Sequence, residues 1–165
     1  MIVSIVVFGA VLRLVNLSGQ SVEHFDEGVY SSVLWYDAVA GEAWPYRGLY
    51  APPMLSWCIE LVSYVPGLAD YAPFLPAAVC GIAMGGAVYW LASMWFGRVA
   101  GLFAACVVAG SDFHILYSGM ALTDVPCLLF ITLAVGMGSR AVVQQRVAGM
   151  AAAGLLCGIA WWFKY

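Results

Sequence analysis

Apolar residues run through this chain in long stretches, broken by a few short polar turns and by one long mixed segment. Stretches of about 20 apolar residues are what a helix needs to cross the hydrocarbon core of a bilayer. The pattern predicts spans over residues 2–17, 72–96, 99–117, 125–138 and 147–165. Gly97-Arg98 and residues 139–146 make turns between them, and residues 118–124 form a short loop. The expected fold is all-α: a polytopic membrane protein forming one membrane domain over residues 1–165, with about five transmembrane helices. An end inside what reads as the fifth span suggests the N-terminal fragment of a longer domain.

The mixed segment, residues 18–71, has its own pattern. Residues 27–39 have helix-forming content and stop at Ala40-Gly41. Asp26, Tyr30, Val33 and Asp37 recur at spacings of four, three and four, one stripe of a helix. Pro52-Pro53 opens a second helical stretch, 54–64, which Pro66-Gly67 ends. Neither is long enough to span a bilayer. Trp57, with Tyr50 and Tyr64 at the edges, suits an amphipathic helix lying in the interface. Two interfacial helices are therefore expected, packed near the ends of the third and fourth spans.

Composition narrows the function classes. Hydrophobic residues make up 64% and charged residues only 9%, far below the roughly one quarter charged in ordinary soluble domains. Net charge is −3 with no Lys/Arg cluster, so no nucleic acid partner is expected. The five cysteines are scattered, with no CxxC pair, which fits neither a disulfide framework nor a zinc site. No basic region precedes the first apolar run, and Arg13 stands near its end. That reads as an uncleaved first span rather than a signal peptide. Asn16-Leu17-Ser18 is formally a glycosylation sequon, set very close to the bilayer.

Arg98, Arg140 and Arg146 fall in the turns after the second and fourth spans. The positive-inside rule makes those turns cytoplasmic. The N-terminus is then cytoplasmic in a plasma-membrane protein, and the long first loop and Asp124 share the external side. Gly81-x-x-x-Gly85, Gly97-x-x-x-Gly101 and Gly154-x-x-x-Gly158 permit close helix approach.

Against this uncharged background the carboxylates stand out. Asp26-Glu27 follows the first span, and Asp124 opens the fourth. Acidic groups at a membrane border are costly unless they meet water, a cation or a substrate. Asp26 reads either as the cap of a helix beginning at Glu27 or as a reactive carboxylate in a polar pocket. Asp124, next to Thr123 and two residues before Pro126, has the same two readings. His114 is a weak candidate metal ligand with Asp112 or Asp124, or an interfacial histidine. Lys164 is a snorkelling lysine at a helix end or a phosphate contact.

The order of the motifs resembles the N-terminal part of the GT-C membrane glycosyltransferases, in the protein O-mannosyltransferase and aminoarabinose-transferase-like group. The residues that carry it are Arg13-x-x-Asn16, Asp26-Glu27-x-x-Tyr30, Pro52-Pro53-Met54-Leu55 and Phe96-Gly97-Arg98-Val99-Ala100-Gly101. Phe113-His114-x-x-Tyr117-Ser118-x-x-Ala121-Leu122-Thr123-Asp124-Val125-Pro126 and Gly154-x-x-x-Gly158 with Lys164-Tyr165 complete the set. The resemblance implies transfer of a sugar from a polyprenyl-phosphate donor in the membrane lipid to a protein, lipid or glycan acceptor at the external face. It implies catalytic roles for Asp26, Glu27 and Asp124, and substrate binding by Lys164, Tyr30 and Arg13. A divalent metal is a further candidate to neutralise the leaving phosphate. Three positions depart from the group's pattern: Gly119 and Phe74 stand where a basic residue is common, and Asp112 where proline is common. Families of this type have about twice as many spans as are read here. The competing readings are a non-catalytic transporter or assembly subunit, and a degenerate pseudoenzyme. A transporter should place its polar groups at mid-bilayer, whereas the carboxylates here gather at one border.

Overall fold

The computed structural model of the protein describes residues 1–15, 17–36 and 51–165, and all regular structure among these is helical. Asn16, Asp37 and Arg47, together with the last residues of the helix expected over 27–39, lie outside the described residues. The elements are α1 (Ile2–Leu14), α2 (Phe25–Trp35), α3 (Met54–Ser63), α4 (Leu75–Phe96), α5 (Arg98–Gly110), α6 (Asp112–Ser118), α7 (Asp124–Gln144) and α8 (Val147–Phe163). Short 3-10 turns at Leu17–Gly19 and Ala69–Tyr71 lead out of α1 and into α4.

The 22 residues of α4 and the 21 of α7 are long and apolar enough to cross a membrane, as is the 18-residue stretch Ile2–Gly19. The 17 residues of α8 sit at the lower limit of spanning length. Many large apolar side chains, among them Val3, Phe8, Phe103, Val107, Ile131 and Leu155, point outward. In water such a surface would be untenable, and against lipid it is the solvent-matched face. The chain is an integral membrane protein. At the centre stands α4, packed against α1, α3, α5, α6 and α7, with α8 on the far side of α7.

Two expected boundaries differ. The third span is not one helix but α5 and α6, bent by 61°. Ser111 leaves the helical region at ψ 114 and its hydroxyl accepts from the His114 amide, so it ends one helix and caps the next. The fourth span runs past residue 138 to Gln144, where Gln145 takes a left-handed conformation at φ 52. Buried Ala141 in this extension packs against Gly149 of α8, so tertiary contact holds helical a stretch whose polar residues suggested a turn.

The larger core is not at mid-span. It lies at one end of the bundle, where Tyr30, Val33, Leu55 and Ile59 of α2 and α3 meet Phe74 at the cap of α4, Ala78, Ala121 and Phe163. Leu55 and Ile59 are fully buried, worth about 1.5–3 kcal/mol each. The Ser56 hydroxyl donates to the Tyr30 carbonyl at 3.1 Å and ties α3 to α2. The long loop therefore builds a cap over one end of the spans. A smaller core of Met84, Ala87 and Leu129 joins α4 to α7 below it.

Candidate functional site

Helix α2 begins one residue before Asp26, because His24 is its cap. The His24 imidazole accepts from the Asp26 amide at 3.3 Å, and the Glu27 carboxylate accepts from the His24 amide at 3.0 Å, a reciprocal capping box. Asp26 is thus not the cap: it stands half-buried in the first turn, where negative charge is favoured.

Glu27 is almost completely buried, 1% exposed. One oxygen, Oε2, accepts from the amides of Glu23 (3.3 Å) and His24 (3.0 Å). The other, Oε1, accepts from the buried amide of Ala121 at 2.9 Å, 94 residues away. Three backbone donors on a buried carboxylate leave no approach for a substrate. Glu27 fastens α2 to the loop before α7, and so fixes Asp26 relative to Asp124.

At the head of α7, Asp124 receives a hydrogen bond and ion pair from Lys164 at 2.5 Å. The pair joins the start of α7 to the end of α8. Stacking of Phe130 on Phe163 (centroids 5.6 Å apart, 16°) holds the last turn of α8 beneath it, and Trp57 meets Trp162 edge-on. About half of each side chain, 52% for Lys164 and 44% for Asp124, remains open. The bond to Asp124 holds the Lys164 ammonium above its ordinary range despite partial desolvation, and the nearby Tyr30 phenol acts in the same sense. Tyr30 lies one turn beyond Asp26 on α2, buried at 7% exposure. One end of the bundle thus gathers Asp26, Tyr30, Asp124 and Lys164.

Arg13 stands in the last turn of α1, as its sequence position suggests. All five of its N–H donors meet groups of the protein. Nη1 reaches the carbonyls of Gly9 (2.9 Å) and Ala109 (3.3 Å), and Nη2 the Val108 carbonyl (3.0 Å) and His114 Nδ1 (2.8 Å). Nε donates to the Ser118 hydroxyl at 3.3 Å. The break at Ser111 frees carbonyls at the end of α5, and the Arg13 guanidinium satisfies two of them. It holds the bend, and it also lines the cleft beside it. Arginine cannot accept, so His114 Nδ1 is the acceptor and Nε2 carries the proton, buried and without a partner among the described residues.

That arrangement engages His114 Nδ1 with Arg13. Asp112 is exposed on the first turn of α6. Among the described residues no three His, Cys, Asp or Glu side chains converge. Beside the bend lies a cleft of about 530 Å³ lined by Leu12, Arg13, Gln20, Asp112, Phe113 and Gly119. A side chain at 119 would lie 3.5 Å from the Gln20 amide, so Gln20 stands beside the space a basic residue would fill. The bend and its Arg13 clasp escaped the sequence reading. The signal was Gly110-Ser111-Asp112, a helix stop followed by a cap and an acidic first turn.

Gly81 makes the bend's docking possible. A Cβ there would lie 2.2 Å from the Ser118 hydroxyl and 3.1 Å from Arg13 Nε. By contrast Gly154 and Gly158 meet nothing within 4 Å.

Residues 50–165 match the family described as dolichyl-phosphate-mannose-protein mannosyltransferase. The matched part contains Asp124 and Lys164 and begins after Asp26-Glu27. No curated protein and no solved structure gives a significant match.

Proposed function

The chain belongs to the dolichyl-phosphate-mannose-protein mannosyltransferase family, membrane glycosyltransferases of the GT-C type, and we propose that it moves a sugar from a polyprenyl-phosphate donor to an acceptor hydroxyl at the external membrane face. The family description makes mannose the first sugar to test. The observation that carries the reading is the half-open Lys164–Asp124 pair, set at the same end as Asp26. A cation held at the bilayer border is what a lipid phosphate requires.

In the proposed step the acceptor oxygen attacks the anomeric carbon and gives its proton to the Asp26 carboxylate. The bond from that carbon to the phosphate oxygen breaks, and the electron pair leaves with the polyprenyl phosphate. Lys164 neutralises the charge that develops there. Asp124 aims Lys164, and Tyr30 flanks both. Glu27 and Arg13 hold the frame: one fixes α2, the other the bend.

The test is sugar transfer in membranes containing the protein with Asp26→Asn. His24 and Glu27 make the cap, so the helix is expected to survive the change. Loss of a positioned base lowers turnover by about 10²–10⁴. Near wild-type turnover at normal expression would remove Asp26 from the chemistry. Lys164→Gln should lower kcat, because the charge it neutralises develops as the bond breaks, and raise the KM for the lipid donor as well.

A further inference from the structure

At the end of the bundle opposite Asp124, the last turns of α4 and α7 enclose a cavity of about 350 Å³. Trp90, Met94 and Trp95 line one side, and Ser139, Arg140 and Gln144 the other. Gly136 sets its roof. A Cβ at that position would lie 2.2 Å from Trp90 Cζ3, so the indole lies directly on the α7 backbone. A second cavity of about 310 Å³ shares Arg140 and Gln144 and reaches Arg146 and the start of α8.

Among the described residues the charge at this end has one sign. Arg98, Arg140 and Arg146 belong to the turns here, while every carboxylate side chain among the described residues sits at the other end. Arg140 is exposed, and since the single ion pair among the described residues is Lys164–Asp124, no described carboxylate pairs with it. Tryptophans are at home at the boundary between headgroup and acyl chain. A guanidinium can grip a phosphate with two parallel N–H bonds. The Ser139 hydroxyl and Gln144 amide add donors and acceptors at headgroup depth, and Trp90, Met94 and Trp95 give the first acyl carbons an apolar wall. Basic pockets between membrane helices suit anionic lipid headgroups on this physics.

We propose that this cavity is a binding site for one anionic glycerophospholipid, with Arg140 on its phosphate and Trp90 and Trp95 against its acyl chains. It lies at the opposite end from Lys164 and stands or falls apart from the transfer reaction.

The experiment is native mass spectrometry of the protein released from bilayers of equal parts phosphatidylglycerol and phosphatidylcholine. Phosphatidylglycerol should be retained in preference, and the preference should shrink as salt rises. Arg140→Gln should lower its retention about fivefold, the worth of one basic residue near an anionic surface. Arg140→Lys should keep the preference for the anionic lipid in weaker form. Equal retention of both lipids, a preference insensitive to salt, or an Arg140→Gln protein that holds phosphatidylglycerol as well as wild type would each overturn the proposal. Added polyprenyl phosphate serves as competitor: if it displaces phosphatidylglycerol from wild type but not from Arg140→Gln, the cavity is a lipid-monophosphate site and the phospholipid assignment fails. If Arg140→Gln does not fold, the salt series and the Arg140→Lys comparison decide.

Discussion

Glu27→Gln removes one charge and almost no volume, and it isolates what the buried carboxylate does. Glutamate offers acceptors on both oxygens, whereas glutamine offers one oxygen and one NH₂ donor. If the amide oxygen faces Ala121, the NH₂ meets the His24 and Glu23 amides. Turned around, it meets the Ala121 amide. Either way at least one donor faces a donor. A hydrogen bond to a charged group is worth about 1.5–3 kcal/mol, and a stranded buried amide costs about 1–3. Relief from burying the charge offsets part of this. The net expectation is a loss of about 2–4 kcal/mol. The assay is the unfolding midpoint in mixed micelles of rising SDS content, followed by circular dichroism. Asp26→Asn is the comparison and should stay within about 0.5 kcal/mol of wild type. A Glu27→Gln protein equally close to wild type would refute the clasp and leave the placement of Asp26 against Asp124 without a cause.

Gly81→Ala should destabilise by about 1–3 kcal/mol, since its Cβ meets fully buried Ser118. Gly86→Ala in the same helix meets nothing and should be neutral or gain up to about 1 kcal/mol, read in the same SDS titration. Asp124→Asn should return the Lys164 ammonium toward its ordinary range, measured by NMR titration, and cost no more than about 1 kcal/mol because the pair is half exposed. The Lys164 shift is upward, so the contribution of the pair is complete below the ordinary lysine range and is lost as pH climbs through the raised value. Stability should therefore fall more steeply at alkaline pH in wild type than in Asp124→Asn. For topology, Ser32→Cys should react with an impermeant thiol reagent added outside and Gln144→Cys should not; the reverse pattern would place Asp26 and Lys164 on the cytoplasmic face.

The helices that rest on long apolar runs were legible in the sequence, and α4 ends at Phe96 as its composition predicts. So was α3, because Pro52-Pro53 and Pro66-Gly67 punctuate it with local chemistry. The start of α2 was misjudged: a histidine took the cap from an aspartate, and caps are decided by side-chain geometry that residue type only biases. Asp124 and Lys164 were each legible as border charges, yet 40 residues separate them, and only the antiparallel run of α7 against α8 makes them a pair. The partners of Arg13 were not legible for the same reason. Its five partners lie four residues away and 95 to 105 residues away, and nothing local announces them.

That separation has a consequence for how the protein is made. Arg13 leaves the ribosome with the first helix, but the carbonyls of Val108 and Ala109, His114 and Ser118 follow only some 95 to 105 residues later. At translation rates of about 5–20 residues per second, the guanidinium waits roughly 5–20 s at the bilayer border. During that interval only headgroups and interfacial water can satisfy it, so α1 must ride shallow and settle when the bend arrives. A nascent chain arrested before residue 108 should display Arg13 to an arginine-selective reagent, and the completed chain should hide it. The clasp thus sets an order of events in biogenesis, with the first helix docking among the last.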